Sequence, residues 1–296
     1  MSSWVLLAII AQLFLAVVTF VDRYVLTHGR GIGKPIAYTF YVSLLSGFVI
    51  VLVPFGVISM PNLLVLEFSL LATATFILSL YFLYTALKEG HASDVMPVVA
   101  AVSAITSFVL ASQWLSEHLP PYFLAAAILF VIGTFLISRL RLTRRQIVLV
   151  IGAGFFFGCS AFLTKIIFEH TSFIDGFFWS RMANVVGAAA LFAVPAVRSQ
   201  IMHGTRQSSH GTKWLVIGNK TLAGIASVLT LFAISSGSVS VVNAMSGLQF
   251  AFLLMLAFLF ASRFPLLRGE IGHEGMTHKL WGIGIIVLGM ALLYIA

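Results

Sequence analysis

The sequence is poor in charge. Asp, Glu, Lys and Arg make up 9% of its 296 residues, whereas hydrophobic residues make up 60%. Average soluble domains carry about 25% charged residues, so this chain cannot cover a soluble surface. A chain of this length would ordinarily form two soluble domains. The composition instead predicts one bundle embedded in a lipid bilayer.

Cysteine is almost absent as well. Cys159 is the one cysteine, which excludes an internal disulfide and a cysteine-based metal cluster. The eight histidines lie in loops or at helix ends, without the spacing of a zinc site. We therefore expect neither a metal nor a cofactor. The formal net charge is +8, but nucleic-acid binding is not expected, because the basic residues lie in short loops between apolar runs.

The sequence does contain many long apolar runs. A helix needs roughly 20 apolar residues to cross the hydrocarbon core of a bilayer. The sequence predicts ten such helices, numbered here as spans 1 to 10: 4–21, 35–57, 64–87, 93–115, 121–140, 147–168, 174–196, 214–235, 239–261 and 278–296. The linkers contain Gly, Pro and charged residues, and the longest predicted linkers are 197–213 and 262–277.

The two halves of the chain repeat each other. Four positions between apolar runs recur 147 residues later: Ala86, Gly90, Ser93 and Val95 correspond to Ala233, Gly237, Ser240 and Val242. At an offset of 142, Phe20 and Arg23 correspond to Phe162 and Lys165. We therefore expect two five-helix units, 1–140 and 147–296. Because five is odd, the second unit must enter the membrane in the opposite sense, as in transporters with inverted repeats.

The basic residues predict the orientation. Fifteen of the 17 Lys and Arg residues belong to the loops after the odd-numbered spans or to the adjoining helix ends, and the exceptions are Lys165 and Arg181. Basic loops normally face the cytoplasm. The sequence therefore predicts that both termini lie on the opposite side of the membrane.

Several motifs resemble those of the EamA-type transporters of the drug/metabolite transporter superfamily. They are Tyr84-Thr85-Ala86-Leu87-Lys88-Glu89-Gly90, Ser93, Pro97, Trp114-Leu115-Ser116-Glu117-His118-Leu119 and Gly133, with Gly282 and Gly289 spaced like Ala126 and Gly133. Arg181 resembles an arginine that those proteins often carry early in span 7. Two features differ: Phe40 stands where the second half has Arg181, and the loop 56–62 lacks a basic cluster. Many relatives also place their termini in the cytoplasm.

The resemblance implies an all-α integral membrane fold of ten transmembrane helices in two inverted five-helix repeats. It further implies that spans 1, 3, 4, 6, 8 and 9 line a central cavity. Hydrogen-bonding, aromatic and charged side chains on five of those spans form the predicted substrate-binding site: Gln12, Thr19, Tyr81, Tyr84, Ser103, Trp114, Lys220, Ser227, Thr230, Asn243, Ser246 and Gln249.

Each part of this site has an alternative interpretation. Polar side chains on span 9 can bond neighbouring helices, and the Gly154–Gly158 element on span 6 can pack backbones closely. Tyr84 and Trp114 lie near helix ends, where aromatic residues form interfacial belts. Lys220 either extends its ammonium to the interface or presents it in the cavity to a carboxylate or phosphate.

Acidic residues are scarce inside the predicted spans. Asp22, Glu67, Asp94, Glu117 and Asp175 all lie near helix ends. Small multidrug exporters of the same superfamily bind cations and protons through a glutamate on their first helix, and span 1 has no acid at mid-depth. Organic-cation export is therefore disfavoured. Proton coupling lacks an obvious carrier, so facilitated diffusion and exchange both remain open.

The sequence thus predicts a secondary transporter that exports a small polar metabolite such as an amino acid. A flippase for a lipid-linked sugar is the main alternative, and a membrane receptor or enzyme is a remoter one. We find no mid-membrane carboxylate pair, no His/Glu metal helix and no Gly-x-Ser-x-Gly motif, so we do not expect an enzyme. The expected partners are a small-molecule substrate and the lipid bilayer. We expect a monomer or homodimer, spanning a bacterial or archaeal inner or plasma membrane several times.

Overall fold

A computed structural model describes residues 3–29, 33–115, 122–137, 142–207, 209–260 and parts of 281–292, and every regular element among them is helical. The α-helices of the continuous part are α1 (Ser3–His28), α2 (Pro35–Leu45), α3 (Leu63–Glu89), α4 (Ala92–Trp114), α5 (Phe123–Ile137), α6 (Arg144–His170), α7 (Phe173–Ala193), α8 (Pro195–Gln207), α9 (His210–Ser236), α10 (Val239–Ala244) and α11 (Leu248–Phe260). A 3₁₀ segment, Ser46–Phe55, follows α2, and a second one, Met245–Gly247, joins α10 to α11.

Short polar side chains fix where the long helices begin. Asn62, Thr143, Ser172 and Ser209 each accept a hydrogen bond from a backbone N–H in the first turn of the following helix. At α6, Gln146 completes a capping box with Thr143. The Gln146 side chain also donates to Glu89 O at 2.9 Å, which ties the start of α6 to the end of α3.

Seven helical segments in the described part of the chain are long and apolar enough to cross a membrane, and α7 with α8 forms an eighth if that bent pair is one span. They correspond to predicted spans 1–4 and 6–9. The structure therefore confirms an all-α multi-span architecture, but it does not confirm ten spans. The apolar part of α5, Phe123–Gly133, is shorter than a full crossing, and predicted span 10 and the linker 262–277 lie largely outside the described residues.

The predicted long linker 197–213 contains a helix that the sequence analysis did not predict. Most of that segment is the helix α8, whose axis is bent by 98° from that of α7. Pro195 has no N–H to continue the hydrogen bonding of α7, but it suits the first turn of a new helix. Ile201 of α8 is buried with Ala37 and Phe40 of α2. On the outer face, Arg198 is exposed, as expected of a helix that lies along an interface.

The long helices pack in reciprocal pairs. The most extensive contacts join α3 to α6, α4 to α6 and α1 to α9, and α1 also packs on α11. The two units correspond if spans 1, 3 and 4 are equivalent to spans 6, 8 and 9. The pairing of α1 with α9 is then equivalent to that of α6 with α3, and the pairing of α4 with α6 is equivalent to that of α11 with α1. A two-fold axis in the membrane plane would produce this relation. The division into units 1–140 and 147–296 remains a prediction.

The outer helices of the two predicted units meet through small residues. A Cβ at Gly133 would lie 2.7 Å from Gly282 O, and a Cβ at Gly289 would lie 3.1 Å from Ala126 O. Because Gly282 and Gly289 are equivalent to Ala126 and Gly133, the two contacts are related by the repeat: each joins a position of span 5 to the other equivalent position of span 10. Small residues at such contacts let helix backbones approach closely in lipid.

Candidate functional site

A buried ion pair joins α1 to α9. Asp22 lies six residues before the end of α1, about 9 Å along the helix axis. Lys220 Nζ donates to Asp22 Oδ1 at 2.6 Å and to Oδ2 at 2.9 Å. The side chains of Lys220 and Asp22 are only 6% and 7% exposed. The pair is electrically neutral, which is the form in which charges are tolerated inside a membrane.

Further polar and aromatic groups surround this pair. Tyr38 OH of α2 and Asn219 Nδ2 of α9 each donate to Asp22 Oδ1 at 2.5 Å. Lys220 Nζ lies 4.7 Å from the ring centroid of Tyr38 and 5.6 Å from that of Tyr84, within the range of cation–π attraction. We call Asp22, Tyr38, Tyr84, Asn219 and Lys220 the ion-pair cluster. It connects four helices: α1, α2, α3 and α9.

The structure places Lys220 in neither of the two arrangements that the sequence suggested. Its ammonium does not extend to an interface, and it contacts a carboxylate of the protein itself rather than open cavity space. The sequence alone identifies Asp22 only as an acid near a helix end, and it does not predict that Asp22 pairs with Lys220. The available signal was Lys220 itself, because a buried lysine needs a hydrogen-bonded counter-charge. A role for Lys220 in binding substrate remains a prediction.

A second group of predicted site residues meets between α1 and α11. Gln249 Nε2 donates to Thr19 Oγ1 at 2.7 Å and to Leu15 O at 3.2 Å. Gln12 lies two turns before Thr19 on α1 and is 3% exposed, and its Oε1 atom has no hydrogen-bond partner. In α10, the buried Nδ2 atom of Asn243 also has no partner. Interhelical bonding thus accounts for Thr19 and Gln249 but leaves these two amide atoms unsatisfied.

The other predicted site residues do not form one cluster. Ser246 and Thr230 donate to carbonyls of their own helical segments, Asn243 O and Ala226 O. Ser103 and Ser227 are half-buried. Trp114 is 75% exposed, as the interfacial-belt interpretation predicts.

The same interpretation is wrong for Tyr84, which is buried. Tyr81 lines a separate cavity of about 610 Å³ at the ends of α2, α3, α6 and α8. Charged residues on the wall of this cavity are Lys34, Lys88, Glu89 and Arg145, and Arg145 pairs with Glu89 at 3.0 Å.

Two cations, Arg23 of α1 and Lys165 of α6, bind at the ends of other helices. Arg23 Nη2 lies 2.8 Å from His91 Nδ1, just after α3. Lys165 Nζ donates to Ile234 O at 3.1 Å and to Gly237 O at 2.9 Å, at the end of α9. A cation is favoured there, because the last carbonyls of a helix carry partial negative charge. Arg23 and Lys165 are the two positions that correspond at the repeat offset of 142 residues.

The Gly154–Gly158 element packs helices, as the alternative interpretation predicted. A Cβ at Gly154 would lie 2.7 Å from Val99 O, and one at Gly158 would lie 2.8 Å from Ser103 O. Both carbonyls belong to α4. Within the described residues, no three His, Cys, Asp or Glu side chains come together as a possible metal site.

Comparisons with known proteins agree with this architecture. No curated protein matches the sequence, whereas 19 chains of solved structures match. One of them, a crystal structure, aligns with a TM-score of 0.67 over 97% of this chain and 98% of its own, at 14% identity, which shows a shared fold. Residues 2–139 match the model of the EamA-like transporter family. The family resemblance is thus confirmed over residues 2–139, and the long apolar helices identify the chain as a multi-pass membrane protein.

Proposed function

We propose that the protein is a secondary transporter that exports a small polar metabolite, such as an amino acid. The observation that carries this proposal is that two predicted site residues have a buried amide atom without a hydrogen-bond partner, Gln12 Oε1 and Asn243 Nδ2. Buried polar groups in native structures nearly always have hydrogen-bond partners. A polar ligand would supply the partners that the described protein residues do not.

The chemistry of the two atoms suits a small polar molecule that carries both a hydrogen-bond donor and an acceptor. Gln12 Oε1 accepts a hydrogen bond, as an ammonium group requires, and Asn243 Nδ2 donates one, as an oxygen atom of the ligand requires. Gln12 lies on α1 and Asn243 lies on α10, and the 3₁₀ segment and α11 that follow α10 pack against α1. Both elements belong to the spans that line the cavity according to the family resemblance. Thr19 and Gln249 extend the same hydrogen-bonding surface.

Counterflow in proteoliposomes tests this function. Vesicles are loaded with each of the twenty unlabelled amino acids in turn, and the uptake of the same labelled amino acid is measured. We expect at least one to accumulate transiently through the wild type. Gln12→Leu should weaken the apparent affinity for it about 10-fold, because one buried hydrogen bond is lost. Gln113→Leu is the matched control, since Gln113 is exposed near the end of α4.

Folded, reconstituted protein that exchanges none of the twenty amino acids would exclude amino-acid transport. Export is tested separately in cells, where the wild type should lower the internal concentration of the transported amino acid. A raised internal concentration would reverse the proposed direction.

A lipid-linked sugar flippase is a second candidate, and one observation favours it. An apolar cavity of about 270 Å³ lies between α4, α5 and residues 244–247. Ile105, Leu124 and Ile128 on its wall are exposed at the surface of the bundle. A lipid tail could enter such a cavity sideways from the bilayer. Movement of a fluorescent polyprenyl-phosphate sugar between leaflets of proteoliposomes would favour this function, and its absence would count against it.

A further inference from the structure

Arg181 lies deep within the bundle. It follows the start of α7 by eight residues, about 12 Å along a helix of 21 residues. Its guanidinium carbon is 5.8 Å from the ring centroids of both Phe76 on α3 and Phe177 on α7. The charged group is therefore held beside two aromatic rings near the middle of the helix.

The hydrogen-bonding capacity of Arg181 is unfilled. Its Nε atom is buried and has no partner. None of the acidic side chains among the described residues forms an ion pair with it. Aromatic rings attract a cation, but they cannot accept the planar set of N–H bonds that a guanidinium offers.

Each of the other deeply placed cations has at least one hydrogen-bonding or ionic partner in the protein. Four cations of the described spans lie at least five residues from their helix ends: Arg23, Lys165, Arg181 and Lys220. Lys220 has Asp22, Lys165 has two backbone carbonyls, and Arg23 has His91. A charge inside a membrane is costly unless it is paired or functional. The described part of the protein supplies no such partner for Arg181.

The helices that carry Phe76 and Arg181 are closely packed. One turn before Phe76 on α3 and one turn after Arg181 on α7, Thr73 Oγ1 donates to Asn184 Oδ1 at 2.9 Å, and both residues are buried. A Cβ at Gly187 would lie 2.6 Å from Thr73 Cγ2, so the helices are in close contact there. Phe76 also meets Phe157 of α6, with centroids 6.3 Å apart. A fixed guanidinium in an apolar setting suits bidentate binding of a carboxylate.

We propose that Arg181 binds the carboxylate of the transported substrate, between the rings of Phe76 and Phe177. This inference rests on the proposed transport function and specifies its substrate class as carboxylates with an apolar portion. The rings exclude water from the ion pair, which strengthens the electrostatic attraction. They also provide an apolar wall for the rest of the substrate.

The test measures binding directly, without requiring transport. The full chain is purified in detergent and titrated with benzoate, with benzyl alcohol as the uncharged analogue and with inorganic phosphate. We expect saturable binding of benzoate and none of benzyl alcohol. Arg181→Gln should weaken benzoate binding about 10- to 100-fold, the loss of charge-assisted hydrogen bonds. Arg181→Lys keeps the charge but not the planar fork, so it should bind with intermediate affinity.

Arg198→Gln is the matched control. Arg198 also lies over a phenyl ring, 5.2 Å from the centroid of Phe192, but it is exposed on α8. Its substitution should leave benzoate binding unchanged. If Arg181→Gln fails to fold, the comparison of wild type with Arg181→Lys decides the question.

Equal benzoate affinity in the wild type and the folded Arg181 variants would overturn the proposal. So would a wild type that binds no benzoate, or one that binds phosphate more tightly than benzoate. Benzoate binding through Arg181 without exchange of any amino acid would support this site and refute amino-acid transport. Amino-acid exchange that persists unchanged in Arg181→Gln would support amino-acid transport and refute the carboxylate site at Arg181.

Discussion

At the scale of single residues, the partners of the buried cations determine what each can do. The Lys220 ammonium is neutralised by Asp22 and held by two tyrosine rings. Lys220 therefore connects α9 to α1 through this ion pair. Arg181 has aromatic neighbours but no anion among the described residues. The Asp22–Lys220 pair thus connects two helices, whereas Arg181 is the position that we propose for ligand binding.

The ion-pair cluster gives a first prediction. Asp22→Asn and Lys220→Met should each lower the free energy of unfolding by about 3–5 kcal/mol, because each leaves an uncompensated buried charge. The double variant removes both charges, so its free energy of unfolding should fall by much less than the sum of the two single losses. Denaturation of all four proteins in detergent measures this coupling.

The exposed Arg145–Glu89 pair serves as the control, with the same comparison of wild type, single variants and double variant. Its two side chains are 73% and 32% exposed, so its coupling energy should be below about 1 kcal/mol. Additive losses at Asp22 and Lys220 would show that the buried pair is not an interacting unit in solution.

At the scale of helices, glycines set how closely the central spans approach. Gly154 and Gly158 bring α6 against backbone carbonyls of α4, and Gly133 does the same between α5 and the last described segment. The sequence showed small residues at regular spacing, but it could not show which helix they face. It also missed α8, whose polar composition concealed a helix bent from α7 at Pro195.

Two glycine substitutions should have opposite effects on stability. A Cβ at Gly158 would lie 2.6 Å from Thr106 Cβ and 2.8 Å from a backbone oxygen, whereas a Cβ at Gly218 of α9 would meet nothing within 4 Å. Gly158→Ala should therefore destabilise the protein by about 1–3 kcal/mol. Gly218→Ala should be neutral or stabilising by up to about 1 kcal/mol, because alanine favours helix. Thermal unfolding in detergent compares them, and a stabilised Gly158→Ala would contradict the close α4–α6 contact.

At the scale of the whole molecule, the basic residues predict the orientation in the membrane. The sequence assigns 15 of 17 to one side, and 14 remain there when the buried Lys220 is left out; the positive-inside rule places that side in the cytoplasm. We predict that both termini face the opposite side. A cysteine added after Ala296, with Cys159 replaced by serine, should react with an impermeant reagent on intact cells. Labelling only after lysis would contradict this orientation.

The repeat predicts a symmetry for the whole chain. Residues 1–140 and 147–296 should superpose after rotation about a pseudo-two-fold axis in the membrane plane. Span 3 should then fall on span 8, and span 4 on span 9. The reciprocal pairing of α1 with α9 and of α3 with α6 is what this axis would produce. An experimental structure of the complete chain measures it, and two halves that share one orientation would refute it.

The sequence by itself determined the class of protein, most of its spans and the family that residues 2–139 match. These features depend on local composition: apolar runs of membrane length, and motifs such as Tyr84–Gly90 that are contiguous in the chain. Only the tertiary structure decided which buried groups are satisfied. Asp22 and Lys220 are 198 positions apart, and Arg181 meets Phe76 from another helix. Such partners depend on how distant helices cross, and the periodicity of one helix predicts which face is buried but not what covers it.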